Sequence, residues 1–142
     1  MNANERQVAG THYAGDYQHW DFVNEALCGC YMEGQITRYI SRWRKKNGVQ
    51  DIQKALHYAD KLLEMQASGA VESFNDQRTD AEADMAQAAL IRFATSAGLN
   101  PREQEIMHLC ATWTSANELK EIHNQILLLM SEVASAVTPT TP

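Results

Sequence analysis

Gly34-Gln-Ile-Thr-Arg-Tyr-Ile-Ser-Arg-Trp-Arg-Lys-Lys-Asn-Gly48, continued by Val49-Gln-Asp-Ile-Gln-Lys-Ala-Leu-His-Tyr58, is the stretch on which the fold turns. Ile36, Ile40 and Trp43 recur at i, i+4, i+7, the spacing that brings side chains onto one helical face. Asn47-Gly48 is a stop, because either residue adopts the left-handed conformation that ends helices. Ile52, Ala55, Leu56, Ala59, Leu62 and Leu63 then form a second apolar face. The spacing predicts helices over about 33–46 and 50–67, joined by a turn so short that they must be near-antiparallel neighbours.

The charges in this hairpin are lopsided. Residues 31–64 hold seven basic and four acidic groups, whereas residues 65–142 hold four basic and ten acidic ones. The chain as a whole carries a formal charge of −6. An acidic protein is a poor non-specific binder of duplex DNA, which requires phosphate neutralisation. A local basic face is a different matter. Arg38, Arg42 and Lys45 repeat the helical spacing on a face apart from the apolar stripe, with Lys46 beyond them, and Lys54, Tyr58 and Lys61 do the same on the next helix. Facing one another, the two stripes make a groove for phosphates. Tyr13, Trp20, Trp43 or Tyr58 offers a ring on which a base can stack. The competing reading is a solvated face whose cations pair with Glu33, Asp51, Asp60 and Glu64.

Outward from the hairpin, the rest also reads as helix. Trp20, Val23, Asn24 and Leu27 suggest a short helix over 21–27, broken by Cys28-Gly29-Cys30. Residues 1–19, with His12-Tyr13-Ala14-Gly15-Asp16-Tyr17, read as an ordered loop or arm. Thr79-Asp-Ala-Glu82, Asn100-Pro101-Arg102-Glu103 and Ser115-Ala-Asn-Glu118 are three capping signatures, each opening a helix. The last of these carries Leu119, Ile122, Ile126, Leu129 and Met130, and is apolar enough to pack within a bundle or between subunits. No stretch alternates as a strand does. The expected fold is therefore all-α, a small helical bundle built on the basic hairpin. Its expected division is a hairpin domain over 1–67, a linker over 68–78, a C-terminal helical region over 79–137 and a disordered tail over 138–142.

At 142 residues and 44% hydrophobic content, the chain is long enough for one real core. No apolar run approaches the ~20 residues that span a bilayer, and the N-terminus lacks the layout of a secretory signal. Three cysteines do not make a disulfide framework. A cytoplasmic location is expected. Cys28 and Cys30 with His12 or His19 make a weak zinc candidate, lacking a second cysteine pair. Cys110, Met107, His108, Trp113 and His123 read as packing residues.

His12-Tyr13, then Gly34-Gln35-Ile36-Thr37-Arg38-Tyr39-Ile40-Ser41-Arg42, Lys46-Asn47-Gly48 and Asp51-Ile52-Gln53-Lys54-Ala55-Leu56-His57-Tyr58 together resemble the SaV-like family of bacteriophage proteins. The resemblance covers residues 12–64. Gln35 and Arg38 stand where that family's pattern has asparagine and lysine. Arginine grips phosphate with a planar fork, whereas lysine is a mobile point charge, so the exchange is not neutral. One family member is a nucleoside monophosphate kinase that lacks the usual phosphate-binding loop and acts as an oligomer. The resemblance thus implies an oligomeric nucleotide-binding protein, using Mg and ATP if it is a kinase, and the lack of a long apolar run adds the expectation of no membrane partner. His12 and Tyr13 join the candidate site on the same ground. This chain also lacks a Gly-x-x-x-x-Gly-Lys-Ser/Thr motif. For the metal the candidates are Asp51, Asp60 and Glu64, although Asp51 equally suits a cap on the third helix; His57 is a candidate base. Two other functions fit the basic hairpin: a non-catalytic phage sponge for the (cyclic) nucleotide signals of host immunity, and a nucleic-acid-binding regulatory module.

Overall fold

The computed structural model describes residues 17–137. Six α-helices and a 3-10 turn make up the described residues: α1 (His19–Ala26), α2 (Tyr31–Arg42), α3 (Val49–Ala67), the 3-10 turn Phe74–Gln77, α4 (Asp80–Ala97), α5 (Pro101–Thr112) and α6 (Ala116–Val137). The fold is all-α, as its periodicities predict. Of the expected arm over 1–19, residues 1–16, with His12 and Tyr13, lie outside the described residues, as does the expected tail over 138–142, while His19 already opens α1.

α2 and α3 form the expected hairpin. α3 packs on α6, α6 on α5, α5 on α2, and α1 on α4. Ile36, Ile40, Ile52, Ala55 and Leu62 from the hairpin meet Phe93, Ile106, Leu109, Ile122 and Ile126 from the later helices in one core. Full burial of such aliphatic side chains contributes ~1.5–3 kcal/mol each, so the interior of the hairpin faces depends on the C-terminal helices to stay dry. α6 buries Leu119, Ile122, Ile126 and Leu129 and leaves Leu127 and Leu128 exposed.

Local chemistry explains the helix starts. Thr79 and Glu82 close a reciprocal capping box at α4, and Asn100 and Glu103 close one at α5, where Pro101 occupies the first turn. Glu118 reaches one residue further back than its signature implies, accepting from the amide and hydroxyl of Thr114 at 3.1 and 2.7 Å. The segment between the hairpin and α4 is tied on both sides. Ser73 and Asn75 donate to the Trp113 carbonyl, and Arg78 donates to the carbonyls of Ala26 and Ala111 at 2.6 and 3.2 Å.

One boundary differs from expectation, and it matters for the site. α2 stops at Arg42 rather than near Lys46. A turn follows, closed by Lys45 N–H donating to the Arg42 carbonyl (3.0 Å) and Gly48 N–H donating to the Trp43 carbonyl (2.8 Å). Gly48 sits at φ +60, ψ −132, a conformation open to glycine and strained for other residues, and it serves as the N-cap of α3. The helix ends early because Trp43 and Arg44 turn away towards α5, as described next.

Candidate functional site

The basic stretch divides in two. On one side, Trp43 Nε1 donates to Glu103 Oε2 at 2.7 Å, and Arg44 donates to Glu103 Oε1 at 2.9 Å. The Arg44 guanidinium also lies 4.5 Å from the centre of the Trp43 ring. Glu103 is fully buried, and its Oε1 also accepts from the Asn100 amide at 2.8 Å. A buried carboxylate is tolerable only when its lone pairs are filled. Here the turn after α2 and the first turn of α5 fill them. This side is a clamp, in which the Trp43 ring is held at its edge by Glu103 and covered on one face by Arg44.

On the other side, four of the candidate site residues converge on a residue that the sequence places only beside the apolar stripe. The ring of Tyr39 has Arg42 at 4.7 Å, Lys54 at 5.4 Å and Arg38 at 5.8 Å from its centroid. It stacks on Tyr58 with centroids 6.0 Å apart and an interplanar angle of 16°. Tyr58 in turn meets Tyr31 edge-on at 6.1 Å, and the hydrogen bond between the two phenols is the main cause that raises the Tyr58 pKa. Cations over ring faces are attracted by the ring quadrupole, so Tyr39 gathers charges that would otherwise repel one another.

Beneath this cluster lies Asp51, fully buried at the start of α3. Its carboxylate is 3.6 Å from Arg42 Nε and 3.8 Å from Lys54 Nζ, and it accepts from the amide and side chain of Asn47, both at 3.4 Å. Asp51 thus ties the turn residue Asn47 rather than capping α3, whose N-cap is Gly48, and forms an ion pair as well. Three cations face one carboxylate here, leaving a local surplus of two positive charges. Arg38 and Lys54 are exposed; Arg42 is half-buried under the cluster.

The remaining candidates fall outside this group. Lys45 and Lys46 are exposed in the turn, so the expected Arg38/Arg42/Lys45 stripe ends at Arg42. Lys61 is one turn beyond Tyr58 and pairs with Glu64 at 3.7 Å on the surface. Asp60 pairs with His123 of α6 at 2.9 Å. All three carboxylates considered for a metal therefore have protein partners. Among the described residues no group of three His, Cys, Asp or Glu side chains converges as a metal site. Cys28 accepts from Arg78 at 3.2 Å, and burial pushes the Cys30 thiol up to about 11.

Two clefts flank the tyrosines. One, of about 570 Å³, is lined by Tyr39, Gln50, Gln53, Lys54, His57 and Tyr58. The other, of about 300 Å³, runs between α1 and α2 and ends at Arg38. At its base His19 shares a 2.7 Å hydrogen bond with Thr37. Burial above all, then the charges of Arg38 and Arg42, lower the His19 pKa to about 4, so the ring is neutral near neutral pH.

Residues 8–60 match the family described as "Protein of unknown function (DUF3310)". Within the described residues the match takes in α1, α2 and the first part of α3, and hence the entire tyrosine–cation cluster. No curated protein and no solved structure matches the chain. No helix among the described residues is long and apolar enough to cross a membrane.

Proposed function

We propose that the chain is a nucleotide-binding protein of the SaV-like, bacteriophage type, holding the phosphate of a nucleotide on the α2–α3 face. The observation that carries this reading is the ring of Tyr39 surrounded by Arg38, Arg42 and Lys54 and stacked on Tyr58. Three cations drawn to one ring, above a single buried acid, favour a ligand that brings its own negative charge. The 570 Å³ cleft beside them is of the size small ligands occupy. The proposal extends to a homo-oligomer in the host cytoplasm, for which the exposed Leu127 and Leu128 of α6 provide an apolar surface.

Isothermal titration with the common ribo- and deoxyribonucleoside monophosphates tests the reading. At least one should bind, and Arg38→Ala and Lys54→Ala should each weaken it about tenfold, the scale of one charge-assisted contact. Failure of every monophosphate to bind, or an unchanged affinity in the double variant, overturns it. A kinase related to the P-loop-less member of the resembled family would in addition convert the bound monophosphate when given ATP and Mg. Binding without turnover, as in a phage sponge for nucleotide signals, is the second reading. It is favoured by the engagement of Asp51, Asp60 and Glu64 with protein side chains. A nucleic-acid module would instead give a gel shift that weakens steeply with salt.

A further inference from the structure

We propose that the cleft between α1 and α2 is a nucleobase pocket, in which Trp20 and Tyr31 stack on the ring while Asn24 and Gln35 read its edge. The inference rests on the nucleotide reading above and adds where the base lies. Trp20 and Asn24 share a face of α1 at i, i+4, and Tyr31, Gln35 and Arg38 share a face of α2 at i, i+4, i+7. The cleft between them, about 300 Å³, lies at the small end of ligand pockets.

Trp20 is 53% and Tyr31 65% exposed, although both sit on helices whose other large apolar residues are covered. Two exposed aromatics lining one cleft leave apolar surface in water and mark a binding surface. A planar ring covering them would remove that cost, and every base offers such a face. The polar lining suits a neutral base. Asn24 and Gln35 each present a donor and an acceptor, as a base edge does, and His19 at the floor is uncharged. The one permanent charge is Arg38, at the end of the cleft. Arg38 also lies 5.8 Å from the Tyr39 centroid. One charged residue therefore belongs to both the cleft and the phosphate cluster, and a base in the cleft has its phosphate directed there.

The occupant is a mononucleotide rather than a strand, because the cleft holds about one ring system and the chain carries a charge of −6. Tryptophan emission offers a local probe. Trp113 is buried and Trp43 is bound to Glu103, so Trp20 is the exposed indole. Nucleoside monophosphates that bind the whole chain should quench its emission saturably, and Trp20→Phe should abolish the quench while retaining binding. Trp20→Ala and Tyr31→Ala should each weaken the nucleotide about tenfold, and Trp20→Ala should leave inorganic tripolyphosphate binding unchanged. Nucleotide binding that Trp20→Ala and Tyr31→Ala leave intact, yet Arg38→Ala weakens, overturns the base pocket and spares the phosphate reading. Equal losses for nucleotide and tripolyphosphate in Trp20→Ala also overturn it. No nucleotide binding at all overturns both. Tighter binding of a single-stranded oligonucleotide than of any monophosphate overturns the choice of occupant.

Discussion

Arg44 and Arg38 belong to the same basic stretch, six residues apart, and their surroundings give them opposite roles. Arg44 lies against the buried carboxylate of Glu103 at 2.8 Å, with Trp43 beneath it. Arg38 lies over the edge of an aromatic cluster whose single acid, Asp51, is within reach of Arg42 and Lys54. The lesson is that a run of cations acquires its function from what lies underneath. A filled carboxylate makes an arginine part of the fold; a ring shared by three cations leaves a field pointing outward. Each of the two regions can be broken separately, and the results should not resemble one another.

The largest effect is expected on the clamp side. Glu103→Ala removes the acceptor for Trp43, Arg44 and the Asn100 amide together. Loss of one partner from a buried, hydrogen-bonded charge costs ~3–5 kcal/mol, and urea denaturation should show it. Phosphate affinity, measured where the variant is folded, should be unchanged. A stability loss below about 1 kcal/mol would mean that the clamp is a surface ion pair.

Next in size is an acid-dependent loss on the open side. The folded protein holds His19 at about 4, against an ordinary value of 6.5. Between those values the unfolded chain takes up a proton that the folded chain refuses, so stability falls as pH drops through this window. The full shift corresponds to ~3 kcal/mol by pH 4. The comparison with His19→Gln isolates this contribution from that of Glu33, whose carboxyl burial pushes up. Arg38→Gln should raise the His19 pKa in an NMR titration, because it removes a repelling charge, although burial keeps the value below 6.5. Arg44→Gln should leave it where it is. Equal responses to the two substitutions would erase the distinction between the regions.

The helices were legible because their signals are local. Ile36, Ile40 and Trp43 reveal a helix by spacing alone, and Thr79/Glu82 and Asn100/Glu103 announce helix starts within four residues. The clamp was not legible, since Trp43 and Arg44 find Glu103 some sixty residues away. Nothing near Glu103 tells that a carboxylate already capping α5 will also hold an arginine. The same blindness extended α2 through Lys46, because a basic run continues the pattern whether or not the chain turns. Of the candidate cluster, Arg38, Arg42, Lys54 and Tyr58 were legible from charge and spacing. Tyr39 was not, because it borders the apolar stripe and its role appears only once α3 brings Lys54 and Tyr58 alongside.

Asp51 separates the two effects within one side chain. Asp51→Asn keeps an oxygen for the Asn47 amide but removes the charge facing Arg42 and Lys54. Arg42 is largely covered, so the fold should lose about 2 kcal/mol. Phosphate affinity should rise severalfold, because the local surplus of positive charge grows by one. A variant that loses both stability and phosphate affinity would make Asp51 a positioning residue for Arg42.

The smallest effect should come from the two most conspicuous lysines. Lys45 and Lys46 are exposed in the turn, and Lys45 contributes to the local structure through its amide, which donates to the Arg42 carbonyl. That bond survives Lys45→Ala. The double change to alanine should therefore shift stability by less than ~0.5 kcal/mol. Its effect on phosphate binding should be confined to long-range attraction: a loss of twofold or less in low salt, vanishing at an ionic strength of about 0.15 M, where charges more than roughly 8 Å apart are screened. Titrations at two salt concentrations settle the matter. A tenfold loss that persists in salt would put Lys45 and Lys46 in contact with the ligand, and would extend the open side across the turn to the edge of the clamp.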